Sequence, residues 1–64
     1  MSIGENIKRI RKARDISQVR LAEMVNVSQS MVCQLERGTK VPSLPLGNEI
    51  AKVLNCSIEE LMRV

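Results

Sequence analysis

Between Val25 and Gln29 the chain has three residues, Asn26, Val27 and Ser28, in which to stop one helix and start another. The segment before this joint, Gln18 to about Val25, follows Ser17 and carries Leu21, Ala22 and Val25 on one side. The segment after it, Gln29 to about Arg37, follows Ser28 and carries Val32 and Leu35 inward, with Gly38 as its stop. Each serine is a good N-cap, because its hydroxyl accepts from a free N–H of the first turn. Asparagine tolerates, and glycine favours, the left-handed backbone that ends many helices. So short a joint forces a sharp crossing, with Val27 as an apolar plug at the corner. Two short crossed helices cannot bury their inner faces alone. The rest of the chain must close a core over them.

The flanks have the right patterning. A capping box, Ser2 and Glu5, opens a helix to about Arg14, with Ile3, Ile7, Ile10 and Ala13 at helical spacing. After the loop from Gly38 to Pro42, Ser43 caps a helix over Leu44–Leu54 whose apolar side is Leu46, Ile50, Val53 and Leu54. Pro45 suits a first turn, whereas Gly47 costs about 1 kcal/mol relative to alanine inside a helix. A second capping box, Ser57 and Glu60, opens a last helix through Leu61 and Met62. The expectation is an all-α fold of five helices and no strands, one domain over residues 1–64, with the crossed pair at about 17–37.

Absences narrow the chemistry. There is no histidine, so imidazole catalysis and the common zinc sites are not expected, and neither metal nor cofactor is implied. Cys33 and Cys56 form no C-x-x-C pair. Cys56 reads as a small core residue, and Cys33 lies at the edge of the outer face. Glu59 and Glu60 splay about 100° apart on a helix, so they are not a paired acid and base, and no enzyme is expected. No apolar run suggests a membrane span or signal peptide, so the cytoplasm is the expected location. Phe, Tyr and Trp are all absent, and single-strand binders usually stack bases on such rings. The net charge is +3, with Lys8, Arg9, Arg11, Lys12 and Arg14 crowded together and Arg37 and Lys40 flanking Gly38. A basic surface favours polyanions, and the missing rings point to a duplex.

The outer face of the second crossed helix is polar yet uncharged until Glu36: Gln29, Ser30, Met31 and Gln34. Amides hold a charged backbone poorly and pair well with base edges. Glutamine can meet adenine N6 and N7 bidentately, serine can donate or accept, and methionine can touch a thymine methyl.

The ordered residues "SQVRLAEMVNVSQSMVCQLERG", then "VPS" and "EIAKVLNCSIEELM", resemble the helix-turn-helix domain of the phage repressor and Cro type, the Xre family. The likeness spans essentially the whole chain. It implies a compact lambda-repressor-like fold, double-stranded DNA as partner and, most often, repression by a bacterial or phage-encoded regulator. The second crossed helix would be the recognition helix in the major groove. Base contacts would come from Gln29, Ser30, Met31 and Gln34. Phosphate contacts would come from Ser17 and Gln18 at the start of the first crossed helix, and from Arg37, Thr39 and Lys40 after the second. Arg9, Lys12, Arg14 and Arg20 read as solvated. Arg11 and Glu36 match a family ion pair that ties the recognition helix to the first helix, expected to be partly buried and mainly structural. Relatives often carry two large apolar residues where this chain has Gly47 and Asn48, so Leu46 is expected to fill that volume.

Family members commonly dimerise on two half-sites about one helical turn, near 34 Å, apart. A weak homodimer through Ile58, Leu61, Met62 and Val64, near Leu44 and Leu46, is the matching expectation; the alternative places Ile58 and Leu61 in the core and leaves the end frayed. The competing reading is an antitoxin or adaptor that uses the fold to bind a protein through Met24, Met31 or Met62.

Overall fold

The computed structural model describes residues 2–63. Five helices follow one another: α1 (Ile3–Ala13), α2 (Gln18–Met24), α3 (Gln29–Arg37), α4 (Leu44–Leu54) and α5 (Ile58–Met62). No residue among those described is in a strand, and no helix is long and apolar enough to cross a membrane.

The same device starts every helix. Ser2, Ser17, Ser28, Ser43 and Ser57 each accept, on the hydroxyl, the N–H three residues on. Each such cap is worth about 1 kcal/mol. Ser2–Glu5 and Ser57–Glu60 are complete capping boxes. The first four helices also share a stop. Asp15, Asn26, Gly38 and Asn55 are left-handed, with φ of 59°, 59°, 86° and 57°. After each, the next N–H reaches back across the turn: Ile16 to the Arg11 carbonyl (3.1 Å), Val27 to Ala22 (2.9 Å), Thr39 to Gln34 (3.0 Å) and Cys56 to Ala51 (3.0 Å). This is the Schellman closure, which satisfies carbonyls that a helix end would otherwise leave open.

These short elements enclose one core: Ile7, Ile10, Leu21, Ala22, Val25, Val32, Leu35, Ile50, Ala51, Leu54 and Leu61. Helix α1 packs on α3 and α5, α2 lies across α3, and α4 and α5 close the far side. Val27 packs against this core from the corner, as its place in the joint predicts.

One inward assignment changes. Ala13 is exposed, because Asp15 turns the chain away just beyond it. Cys56 keeps its inward place: it is partly buried and packs against the core, and its thiol pKa is raised by burial and by the nearby Glu60. Helix α4 starts where expected, on its Ser43 cap. Leu46 packs against the core, and Ile58 and Met62 close over buried Gly47, their nearest atoms 3.6 Å from where a Cβ would stand.

Two contacts have no sequence precedent. Gly4 lies against α3: a Cβ there would stand 2.3 Å from the Leu35 carbonyl oxygen and 2.6 Å from that of Glu36. Only a residue without a side chain lets α1 approach so closely. Asn6 is fully buried, and its Nδ2 donates to the Leu61 carbonyl (3.0 Å) and to that of Arg63, stitching α1 to the end of α5.

Candidate nucleic-acid interface

The helix thus anchored through Val32 and Leu35 turns a polar strip outward. At 100° per residue, Gln29, Cys33, Ser30 and Gln34 cover an arc of about 140° opposite the core. Gln29 and Ser30 are exposed, and Cys33 and Gln34 are half-buried. Cys33 therefore stands inside the arc, not at its edge. Met31 departs from its assignment: it is partly buried and packs against the core, so it offers the strip at most its flank. The reason is geometric, since Met31 lies about 60° beyond Gln34 on the helix wheel, next to the inward side.

A buried network fixes this helix. Arg11 donates from Nε and Nη2 to the two carboxylate oxygens of Glu36, at 2.6 and 3.1 Å, in a bidentate pair. The side chains are 8% and 4% exposed, so the pair is more deeply buried than expected. Arg11 Nη1 also donates to the Ile16 carbonyl at 2.7 Å, tying in the corner between α1 and α2. Gln18 Nε2 donates to Glu36 Oε1 at 3.0 Å. Three helices thereby meet at one carboxylate. Burial of this depth leaves Arg11 little surface for a phosphate, so its role is structural. Gln18, by contrast, is aimed by Glu36 and retains a second N–H.

Around the strip, the hydroxyl of Ser17 is engaged as the α2 cap. Arg37, Thr39 and Lys40 are exposed where α3 ends. Thr39 Oγ1 donates to the Gln34 carbonyl at 3.1 Å, which fixes the loop. Neither Arg37 nor Lys40 is in a salt bridge among the described residues. Of the basic residues read as solvated, Arg14 is not idle: it donates to the Leu54 and Asn55 carbonyls at 2.8 and 3.2 Å, closing the end of α4. Arg20 pairs loosely with Glu23 at 3.4 Å on the surface.

The expected dimer surface needs correction. Leu61 is fully buried within the chain and has no face to offer a partner. With α5 only five residues long, sequence spacing could not separate its core side from its outer side. Ile58 and Met62 are partly buried, and Val64 lies outside the described residues. Among the described residues, the most exposed large hydrophobic side chains are Val41 (71%) and Leu44 (66%), which flank Pro42 and Ser43.

Comparison with known proteins agrees with this architecture. A family profile described as helix-turn-helix (HTH_3) matches residues 7–61. The immunity repressor protein of Bacillus phage phi105 is 37% identical over 62 residues, 97% of this chain but only 43% of that protein, so the chain spans less than half of it. The uncharacterized HTH-type transcriptional regulator YazB of Bacillus subtilis is 34% identical over 58 residues, covering 91% of this chain and 84% of YazB. In three dimensions the chain superposes on the P22 c2 repressor, solved in complex with synthetic operator 9T, with a TM-score of 0.93 at 33% identity. That match covers 98% of this chain and 96% of the repressor chain. With the capped pair α2–α3, its four-residue joint from Val25 to Ser28 and this agreement over most of the sequence, the chain belongs to the helix-turn-helix family of the phage-repressor type.

Proposed function

We propose that this chain binds double-stranded DNA in a sequence-specific manner and acts as a transcriptional repressor. The observation that carries this is the outer strip of α3: polar, without charge from Gln29 to Gln34, exposed at Gln29 and Ser30, and tied to α1 and α2 through Glu36. Its width and chemistry suit the floor of the major groove, where base edges present donors, acceptors and methyl groups. Gln29, Ser30 and Gln34 meet bases, with Met31 at the flank. Gln18, Ser17, Arg37, Thr39 and Lys40 meet the sugar-phosphate chains on either side, which sets register and carries no sequence information directly. The names of the relatives support the assignment, since the phi105 protein is an immunity repressor and the P22 protein was solved on an operator.

One recognition helix covers too few base pairs to specify a unique genomic site. The active form is therefore a weak homodimer on a palindromic operator, with half-sites about 34 Å apart. The exposed Leu44 and the neighbouring Ile58 and Met62 supply its contact, and DNA strengthens it. Repression follows by occlusion of a promoter in the cytoplasm.

Mobility shifts on selected palindromic DNA test this reading. Gln29→Ala is expected to lose discrimination between sequences while keeping nonspecific binding. Affinity should fall steeply with salt, because phosphate neutralisation releases counterions. Selectivity unchanged by Gln29→Ala, or affinity flat in salt, contradicts it; the flat response is what a protein partner held by apolar contacts would give.

A further inference from the structure

We propose that the half-site facing α3 is built on A·T pairs, with Cys33 as a further selecting residue beside Gln29, Ser30 and Gln34. This rests on the DNA-binding reading above and specifies the duplex it prefers.

The argument begins with what the strip lacks. Guanine is most often read by an arginine or lysine that donates twice, to O6 and N7. Between Gln29 and Glu36 there is no cation at all. The first is Arg37, which shares the arc but lies about 12 Å further along the helix axis from Gln29. The two glutamines offer one donor and one acceptor each, the pattern that complements adenine N6 and N7. Their amides are not tied up within the protein: the one glutamine side chain held by a hydrogen bond among the described residues is Gln18, on α2.

Cys33 falls, with Ser30, in the angular interval between the two glutamines. On the helix wheel it lies about 40° from Gln29 and about 100° from Gln34. It is half-buried, in no disulfide, and one turn from each of Gln29 and Arg37. A thiol behaves as a small hydrophobe with only a weak donor. In a groove its natural counterpart is the one apolar feature on the base edges, the 5-methyl of thymine. Each thymine methyl belongs to an A·T pair, so the thiol and the amides select the same pairs by different chemistry.

The test is selection from random duplex DNA, followed by titration of the selected duplex and of versions altered at single pairs. Adenine should be enriched at the two positions assigned by loss of preference in Gln29→Ala and Gln34→Ala. Guanine in place of either adenine is expected to weaken wild-type binding by about 5- to 150-fold. Replacing the intervening thymine by uracil, which removes only the methyl, should weaken it by about fourfold. In Cys33→Ser that penalty should fall below about twofold, with thermal stability and nonspecific binding preserved. Enrichment of G·C pairs at the glutamine positions overturns the inference and leaves the DNA-binding reading standing. So does a wild-type protein indifferent to uracil at every thymine, for the part assigned to Cys33. Failure to bind any duplex overturns the functional reading itself, and this inference with it.

Discussion

Replacing Gly4 by alanine probes the close approach of α1 to α3. In an ordinary helix the change is stabilising, by up to about 1 kcal/mol. Here the new Cβ would stand 2.3 Å from the Leu35 carbonyl oxygen, 2.6 Å from the Glu36 oxygen and 2.9 Å from the Glu36 carbonyl carbon. Close carbon-to-oxygen contacts in proteins lie at about 3.3 Å or more, so α1 and α3 must part by about 1 Å. The obstacles are backbone atoms of the last turn of α3 and cannot swing aside as a side-chain tip would. Overpacking of this kind typically costs about 1–3 kcal/mol. A chain of 64 residues has only about 3–10 kcal/mol of stability in all. At about 4–8 °C per kcal/mol, the midpoint should drop by about 4–24 °C. Gly47→Ala is the control, since its Cβ would meet only Ile58 Cδ1 and Met62 Sδ, both at an ordinary 3.6 Å, and should raise the midpoint slightly. Thermal and urea unfolding followed by circular dichroism read both variants. If Gly4→Ala is as stable as the parent, or moves in the same direction as Gly47→Ala, the close approach of α1 to α3 is wrong.

Other expectations follow from the same contacts. Glu36→Ala leaves Arg11 buried without its partner and should cost about 3–5 kcal/mol in urea titrations, while Arg11→Met combined with Glu36→Leu should recover much of that loss. Asp15→Gly should be stabilising by about 1 kcal/mol, because a left-handed residue with a Cβ is strained, whereas Asp15→Val should be destabilising. The Glu5 carboxyl is held below its ordinary 4.5 by the Ser2 backbone N–H and then by the Ser2 hydroxyl. Its folded value is below its unfolded one, so this stabilisation is complete above about pH 4.5 and is lost as pH falls through the folded value. Acid unfolding of Glu5→Gln should accordingly show a shallower loss in that range than the parent.

What could be read from the sequence was mostly punctuation. The five serines and the left-handed Asn26 and Gly38 act through neighbours within a few residues, so their roles are written locally. Gly4 and Asn6 are different: their partners lie in α3 and at Leu61 and Arg63, and nothing next to them in the chain marks the encounter. Arg14 looked solvated because its acceptors are the carbonyls of Leu54 and Asn55. Leu61 cannot be oriented from spacing alone, because one turn of helix holds too little periodicity. On the candidate interface, Gln29, Ser30 and Gln34 are turned outward as their spacing implied. Met31 and Cys33 are both half-buried, and of the two only Met31 packs against the core, because the inner edge of a nine-residue helix is set by what packs against it.

Cys33 also provides the most direct measurement of where α3 goes. Alkylation of the two thiols can be followed by mass spectrometry with and without a selected duplex, with Cys56, outside the strip, as the internal reference. A duplex seated on the α3 strip should shield Cys33 and slow its modification many-fold, leaving Cys56 unchanged. Cys33 reacting at the same rate under saturating DNA would mean that this helix face does not enter the groove.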